Sequence, residues 1–128
     1  MDKLFDRLGF PKAHYQMHLA VVGGLPITLV ADLAHELCLP RSQVMRWVGG
    51  SFRFPYMSTR ASEALCRLVE TLDSLLLLHE GDLGGALRWL TSPRKTLSFE
   101  RPIDLVVTEP GHRAVMQAIH SLEYGLPV

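Results

Sequence analysis

Between Ser58 and Glu80 the chain repeats apolar residues at intervals of three and four: Leu65, Leu68, Val69, Leu72, Leu75 and Leu76. That spacing is one face of an α-helix and does not suit a strand, whose side chains change face at every residue. Ser58-Thr59-Arg60-Ala61 opens the helix, His79 or Glu80 is its expected end, and Gly81 breaks it. Adding Leu77 and Leu78 makes the far end apolar nearly all round, so it needs cover on several sides. Neighbouring helices or a second copy of the chain would supply that cover. A helix of this length is expected to bridge two halves of the molecule.

Leucine abounds while β-branched and aromatic residues are few in most segments, so the rest of the chain is expected to be helical too. Its 128 residues, 48% hydrophobic and 20% charged, suffice for one compact unit or two very small subdomains sharing a core. The longest apolar run, Leu75 to Leu78, is far short of the roughly 20 residues of a membrane span. MDKLFDRLGF carries acids and lacks the apolar core of a secretion signal. Cys38 and Cys66 have no CxxC spacing and read as two buried, reduced thiols, so the expected location is cytoplasmic. Net charge is zero, but residues 1–60 hold seven basic against four acidic side chains and residues 61–128 hold six against nine. A basic front fits a nucleic-acid contact and an acidic back fits a basic protein partner, although chance produces splits of this size.

In the front half, an amphipathic helical segment over Met1 to Val22 is broken near Gly9-Phe10-Pro11 and stopped by Gly23-Gly24-Leu25-Pro26. His14 and His18 share a face at metal-site spacing, but no third ligand is near, and solvated or capping histidines are the expectation. Leu29, Val30, Leu33, Ala34 and Leu37 fit one helix, Leu39-Pro40 a tight turn, and Arg41 to Val48 a second helix ending at Gly49-Gly50. Two short helices so joined form a helix-turn-helix, whose second helix enters the DNA major groove. Arg41, Ser42, Gln43 and Arg46 would face base edges there: Arg suits guanine and Gln suits adenine. An ordinary helical corner would carry the same exposed residues. Phe52, Phe54 and Tyr56 alternate with Arg53 and Pro55 over too few residues for a sheet. Such rings can stack on single-stranded bases, but they are expected to tuck against neighbouring helices.

The back half reads as short helices with clear punctuation. Asp82 can cap a helix over Leu83 to Leu90, weakened by the Gly84-Gly85 pair, for which close packing against another backbone is the expected reason. Pro93 prevents continuation, and Pro102 suits the first turn of a helix over Ile103 to Val107. Thr108 offers an N-cap oxygen, with Glu109 and Pro110 in the next first turn. Val115, Ile119 and Leu122 recur at helical spacing, and Gly125 follows as a helix-ending glycine. No catalytic motif emerges. The chain shows no Gly-rich phosphate loop, no G-x-S-x-G and no paired carboxylates. Both cysteines occupy apolar helical faces, where packing is the expected role. Glu109 near His112 reads as a first-turn acid at a helix dipole.

The pattern WL..P...L....P.DLV....G...V...I...EYG, from Trp89 to Gly125, resembles the toxin-binding domain of the MbcA/ParS/Xre antitoxin family, and LPRSQVMRWVGG resembles that family's helix-turn-helix. Some longer relatives carry a further basic segment where this chain has Ser51-Phe52-Arg53-Phe54-Pro55-Tyr56, which would weaken phosphate contacts. The resemblance implies an all-α fold with three parts. They are an N-terminal Xre-like helix-turn-helix subdomain over 1–57, a connecting and dimerisation helix over 58–80, and a small toxin-binding domain over 81–128. It implies a type II antitoxin, not an enzyme, without cofactor or metal. Its partner would be a RES-domain toxin that consumes NAD+. Glu123, Tyr124, Gly125, Leu126, Pro127 and Val128 would occlude the toxin's active site, whose pocket for an anionic dinucleotide should be basic. It further implies a homodimer, higher-order complexes with toxin, and operator DNA binding through Arg41, Ser42, Gln43 and Arg46. The competing expectation is a stand-alone helix-turn-helix regulator whose C-terminal domain dimerises or senses a small molecule.

Overall fold

The computed structural model describes residues 3–49 and 52–125. Apart from one short hairpin the fold is all-α, in two compact units, Met1–Val69 and Glu70–Val128. The division falls inside the long helix. No helix among the described residues is long and apolar enough to cross a membrane.

The first unit contains α1 (Leu4–Arg7), α2 (His14–Gly23), α3 (Thr28–Leu37), α4 (Arg41–Val48), the strands β1 (Phe52–Arg53) and β2 (Tyr56–Met57), and the first half of α5 (Thr59–Leu78). Leu29, Val30, Leu33, Ala34 and Leu37 are all buried, as their spacing predicts. Val44 and Val48 of α4 are buried as well, and α3 and α4 pack on each other as a helical pair. Arg7 and Glu36 add a half-exposed ion pair at 3.6 Å between α1 and α3.

Gly23-Gly24-Leu25-Pro26 does more than stop α2. The Met57 N–H donates to the Leu25 carbonyl at 2.8 Å, the Ile27 N–H to the Pro55 carbonyl at 2.9 Å, and the Leu25 N–H to Ser62 Oγ at 2.9 Å. These bonds lash the segment to both the hairpin and α5. Gly24 has φ +88°, and a Cβ there would lie 2.5 Å from the Met57 carbonyl oxygen, so only glycine fits. This backbone pairing lets two strands of two residues each persist in a helical chain. The hairpin also corrects the expectation that its aromatic rings tuck away. Phe54, at the turn, is 83% exposed, and Tyr56 is also exposed.

Cys38 is another correction. It does not sit on the apolar face of α3 but ends that helix in left-handed backbone at φ +56°. Its N–H donates to the His35 carbonyl, and the Leu39 N–H reaches back to Ala34, the paired bonds of a Schellman ending. Cys38 is therefore exposed, while Cys66 on α5 is half-buried. The Leu75–Leu78 run likewise resolves: Leu75 and Leu76 are buried within the chain and only Leu77 projects, 70% exposed.

Candidate functional site

The second unit comprises the second half of α5, then α6 (Leu83–Thr91), a 3-10 turn (Lys95–Leu97), α7 (Pro102–Leu105) and α8 (Glu109–Glu123). Trp89, Leu90, Ile103, Val106, Val115 and Ile119 are buried, and each such side chain stabilises the unit by roughly 1.5–3 kcal/mol relative to exposure. Pro102 is buried at the first turn of α7. Successive elements pack in chain order: α6 on α7, α7 on α8, and the 3-10 turn on α8. Arg94 lies over the Trp89 ring at 5.1 Å and donates from Nε to the Trp89 carbonyl at 3.3 Å. Its partial burial lowers the guanidinium pKa from its ordinary value. Arg101 and Asp104 form a bidentate pair, both bonds 2.9 Å, which raises the pKa of Arg101.

Thr108 caps α8, its Oγ1 accepting from the Gly111 N–H at 3.1 Å. Gly111 itself is demanded by packing, because a Cβ there would run into the Leu105 carbonyl oxygen. Its one sign in the sequence is a glycine in the first turn of a capped helix. The close approach expected at Gly84-Gly85 is of another kind. A Cβ on Gly85 would meet the Asp82 carboxylate at 2.7 Å and the His79 ring at 3.0 Å, both side chains. Asp82 holds the N-cap position of α6 without a capping bond from its side chain. Glu109 and His112 separate: Glu109 accepts from Arg113 at 3.2 Å, whereas His112 is buried with Nε2 3.9 Å from Glu70 Oε2.

The residues that carry the Trp89–Gly125 pattern thus divide by role. Trp89, Leu90, Leu97, Pro102, Val106, Val115 and Ile119 are core, and Gly111 is a packing necessity. Gly125 takes φ +74° as α8 ends, with its N–H donating to the Leu122 carbonyl at 2.9 Å. At this end Glu123 and Tyr124 lie on the surface beside the exposed His120 and Gly125, Tyr124 with 72% of its area exposed. Both lean on His120 of the same helix: the Tyr124 ring meets the imidazole edge-on at 4.8 Å, and Glu123 lies 3.6 Å from Nδ1. Leu126, Pro127 and Val128 lie outside the described residues.

The family model described as "Antitoxin Xre/MbcA/ParS C-terminal toxin-binding domain" matches residues 72–125. An "Antitoxin Xre" of Yersinia enterocolitica is 37% identical over 132 residues, which cover 96% of this chain and 89% of that protein. The chain belongs to the Xre/MbcA/ParS antitoxin family. A second "Antitoxin Xre", from Photorhabdus laumondii, is 25% identical over 134 residues, covering 98% of this chain and 90% of its own. The "6-hydroxy-3-succinoylpyridine 3-monooxygenase HspA" of Pseudomonas putida shares 44% identity over 54 residues. That match spans only 17% of the monooxygenase, too little to bring its chemistry to this antitoxin. The matched domain places α6, α7 and α8 in the part of the antitoxin that engages a toxin.

In the front unit of this antitoxin, Arg41, Ser42 and Arg46 are exposed on α4 and Gln43 is half-buried. Arg46 Nη2 donates to Gln43 Oε1 at 2.8 Å, so these two groups are linked rather than independent. Pro40 holds the N-cap position, leaving the first turn of α4 without a side-chain cap. His14 and His18 lie on α2, both exposed, with the His18 ring stacked near Tyr15 at 6.4 Å. No group of three or more metal-ligating side chains occurs among the described residues.

Proposed function

We propose that this type II antitoxin neutralises a RES-domain toxin that consumes NAD+, by covering the toxin's active site with its C-terminal domain and the segment from Glu123 to Val128. The observation that carries this reading is the end of α8. Along α8 the pattern's Gly111, Val115, Ile119 and Gly125 serve packing or the helix ending, whereas Glu123 and Tyr124 stand exposed where the helix terminates. An acidic and aromatic group so placed suits a pocket lined for an anionic dinucleotide. The surplus of acidic side chains after residue 60 favours approach to such a basic surface.

The test is a purified toxin degrading NAD+ in the presence of increasing antitoxin. Full-length chain should stop NAD+ loss near stoichiometric ratio, and a chain lacking residues 124–128 should not. Complete inhibition by the shortened chain removes the tail from the mechanism.

The same reading assigns operator binding to the α3–α4 pair, with Arg41, Ser42, Gln43 and Arg46 as the contacts, and with it repression of the antitoxin's own operon. Four polar side chains on the leading turns of an open helix end favour it. A homodimer would place two such helices on a two-fold operator, and light scattering at micromolar concentration tests that assembly. The reading places 1–57 in DNA contact, 58–80 in connection and dimerisation, and 81–128 in toxin contact.

A further inference from the structure

The toxin-binding unit holds a bulky side chain in backbone that its own folding does not explain. Ser98 and Phe99 follow the 3-10 turn, and both adopt left-handed backbone, with φ +57° and +62°. That region favours glycine, and a bulky side chain in it is an outlier. Burial gives nothing back, because Phe99 is 69% exposed.

The loop around it is nevertheless fixed. The Arg94 N–H donates to the Glu100 carbonyl at 3.1 Å, the Phe99 N–H to the Arg94 carbonyl at 2.8 Å, and the Glu100 N–H to Leu97 at 3.1 Å. Leu97 is buried, and Arg94 is anchored on Trp89. An aromatic ring is thus held toward solvent on a rigid frame, in backbone it does not prefer. Strained residues persist where the surroundings enforce them and cluster at functional sites. A pre-positioned aromatic loses little freedom on binding, the property of an interface anchor.

We propose that Phe99 is such an anchor for the cognate toxin, its ring entering an apolar pocket on the toxin surface. The occupant follows from continuity. Phe99 lies within residues 72–125 of the toxin-binding domain, and the turn that precedes it packs on α8, whose end carries Tyr124. The antitoxin therefore grips with two exposed aromatics, one on the loop and one at the helix end. This inference rests on the toxin-binding reading of the unit.

The experiment titrates variants of the antitoxin against its purified cognate toxin and records their melting temperatures. Phe99→Gly removes the ring and relaxes the backbone together. It should melt at or above the wild-type temperature yet bind toxin about tenfold or more weakly. Ser98→Gly should raise stability and leave affinity unchanged, and Phe99→Trp should stay within about threefold of wild type. Affinity of Phe99→Gly within about twofold of wild type overturns the proposal. So does a lower oligomeric mass of that variant at unchanged toxin affinity, which would assign the ring to a second copy. A wild-type chain that fails to bind the toxin overturns the underlying reading instead.

Discussion

The end of α8 presents an acid and an aromatic ring to solvent and the start of α4 presents polar groups, but they differ in what surrounds them. Around α8, the packed core, the Thr108 cap and the tight fit of Gly111 account for nearly every residue of the pattern, so Glu123 and Tyr124 stand out by elimination. On α4 no such subtraction works. Arg41, Ser42 and Arg46 are the kind of exposed residues any helix carries, and Arg46 is already tied to Gln43. Exposure points to function only where the neighbouring sequence is fully used by the fold.

Substitutions can break this contrast, beginning with the largest expected effect. Gly111→Ala drives a Cβ into the Leu105 carbonyl and should destabilise the second unit by about 3 kcal/mol in denaturant unfolding. Tyr124→Ala, at the other pole of the same helix, should leave that unfolding curve unchanged while weakening toxin binding. If both variants unfold alike, the division between folding and docking residues fails.

Arg46→Ala tests the front unit. It should weaken operator binding by about 1–3 kcal/mol in a gel-shift assay at moderate salt if Arg46 reads a base. Unchanged affinity would leave α4 a structural helix and sharpen the contrast further. Thr108→Ala removes the side-chain capping oxygen at the start of α8 and should cost about 1 kcal/mol of stability, with operator binding intact.

Much of this was legible in the sequence, because periodicity reports burial directly. The apolar faces of α3, α5 and α8 lie where their spacing puts them. The Thr108 cap and the Gly125 ending are local chemistry, and they too were readable. What escaped were features set by distant backbone. The hairpin depends on Leu25 and Ile27 pairing with residues some thirty positions away, beyond any local pattern. Cys38 took a helix-ending conformation usually given to glycine, so a side chain expected inside came out. Phe99 carries no periodic signal at all. An aromatic ring among polar residues in a loop was the only hint of it.

Hydrogen exchange on the antitoxin, alone and saturated with its toxin, tests the central claim most directly. The account predicts new protection concentrated in residues 92–101 and 120–125, with α4 exchanging at the same rate in both states. Protection confined to α4, or none in the C-terminal unit, would contradict it.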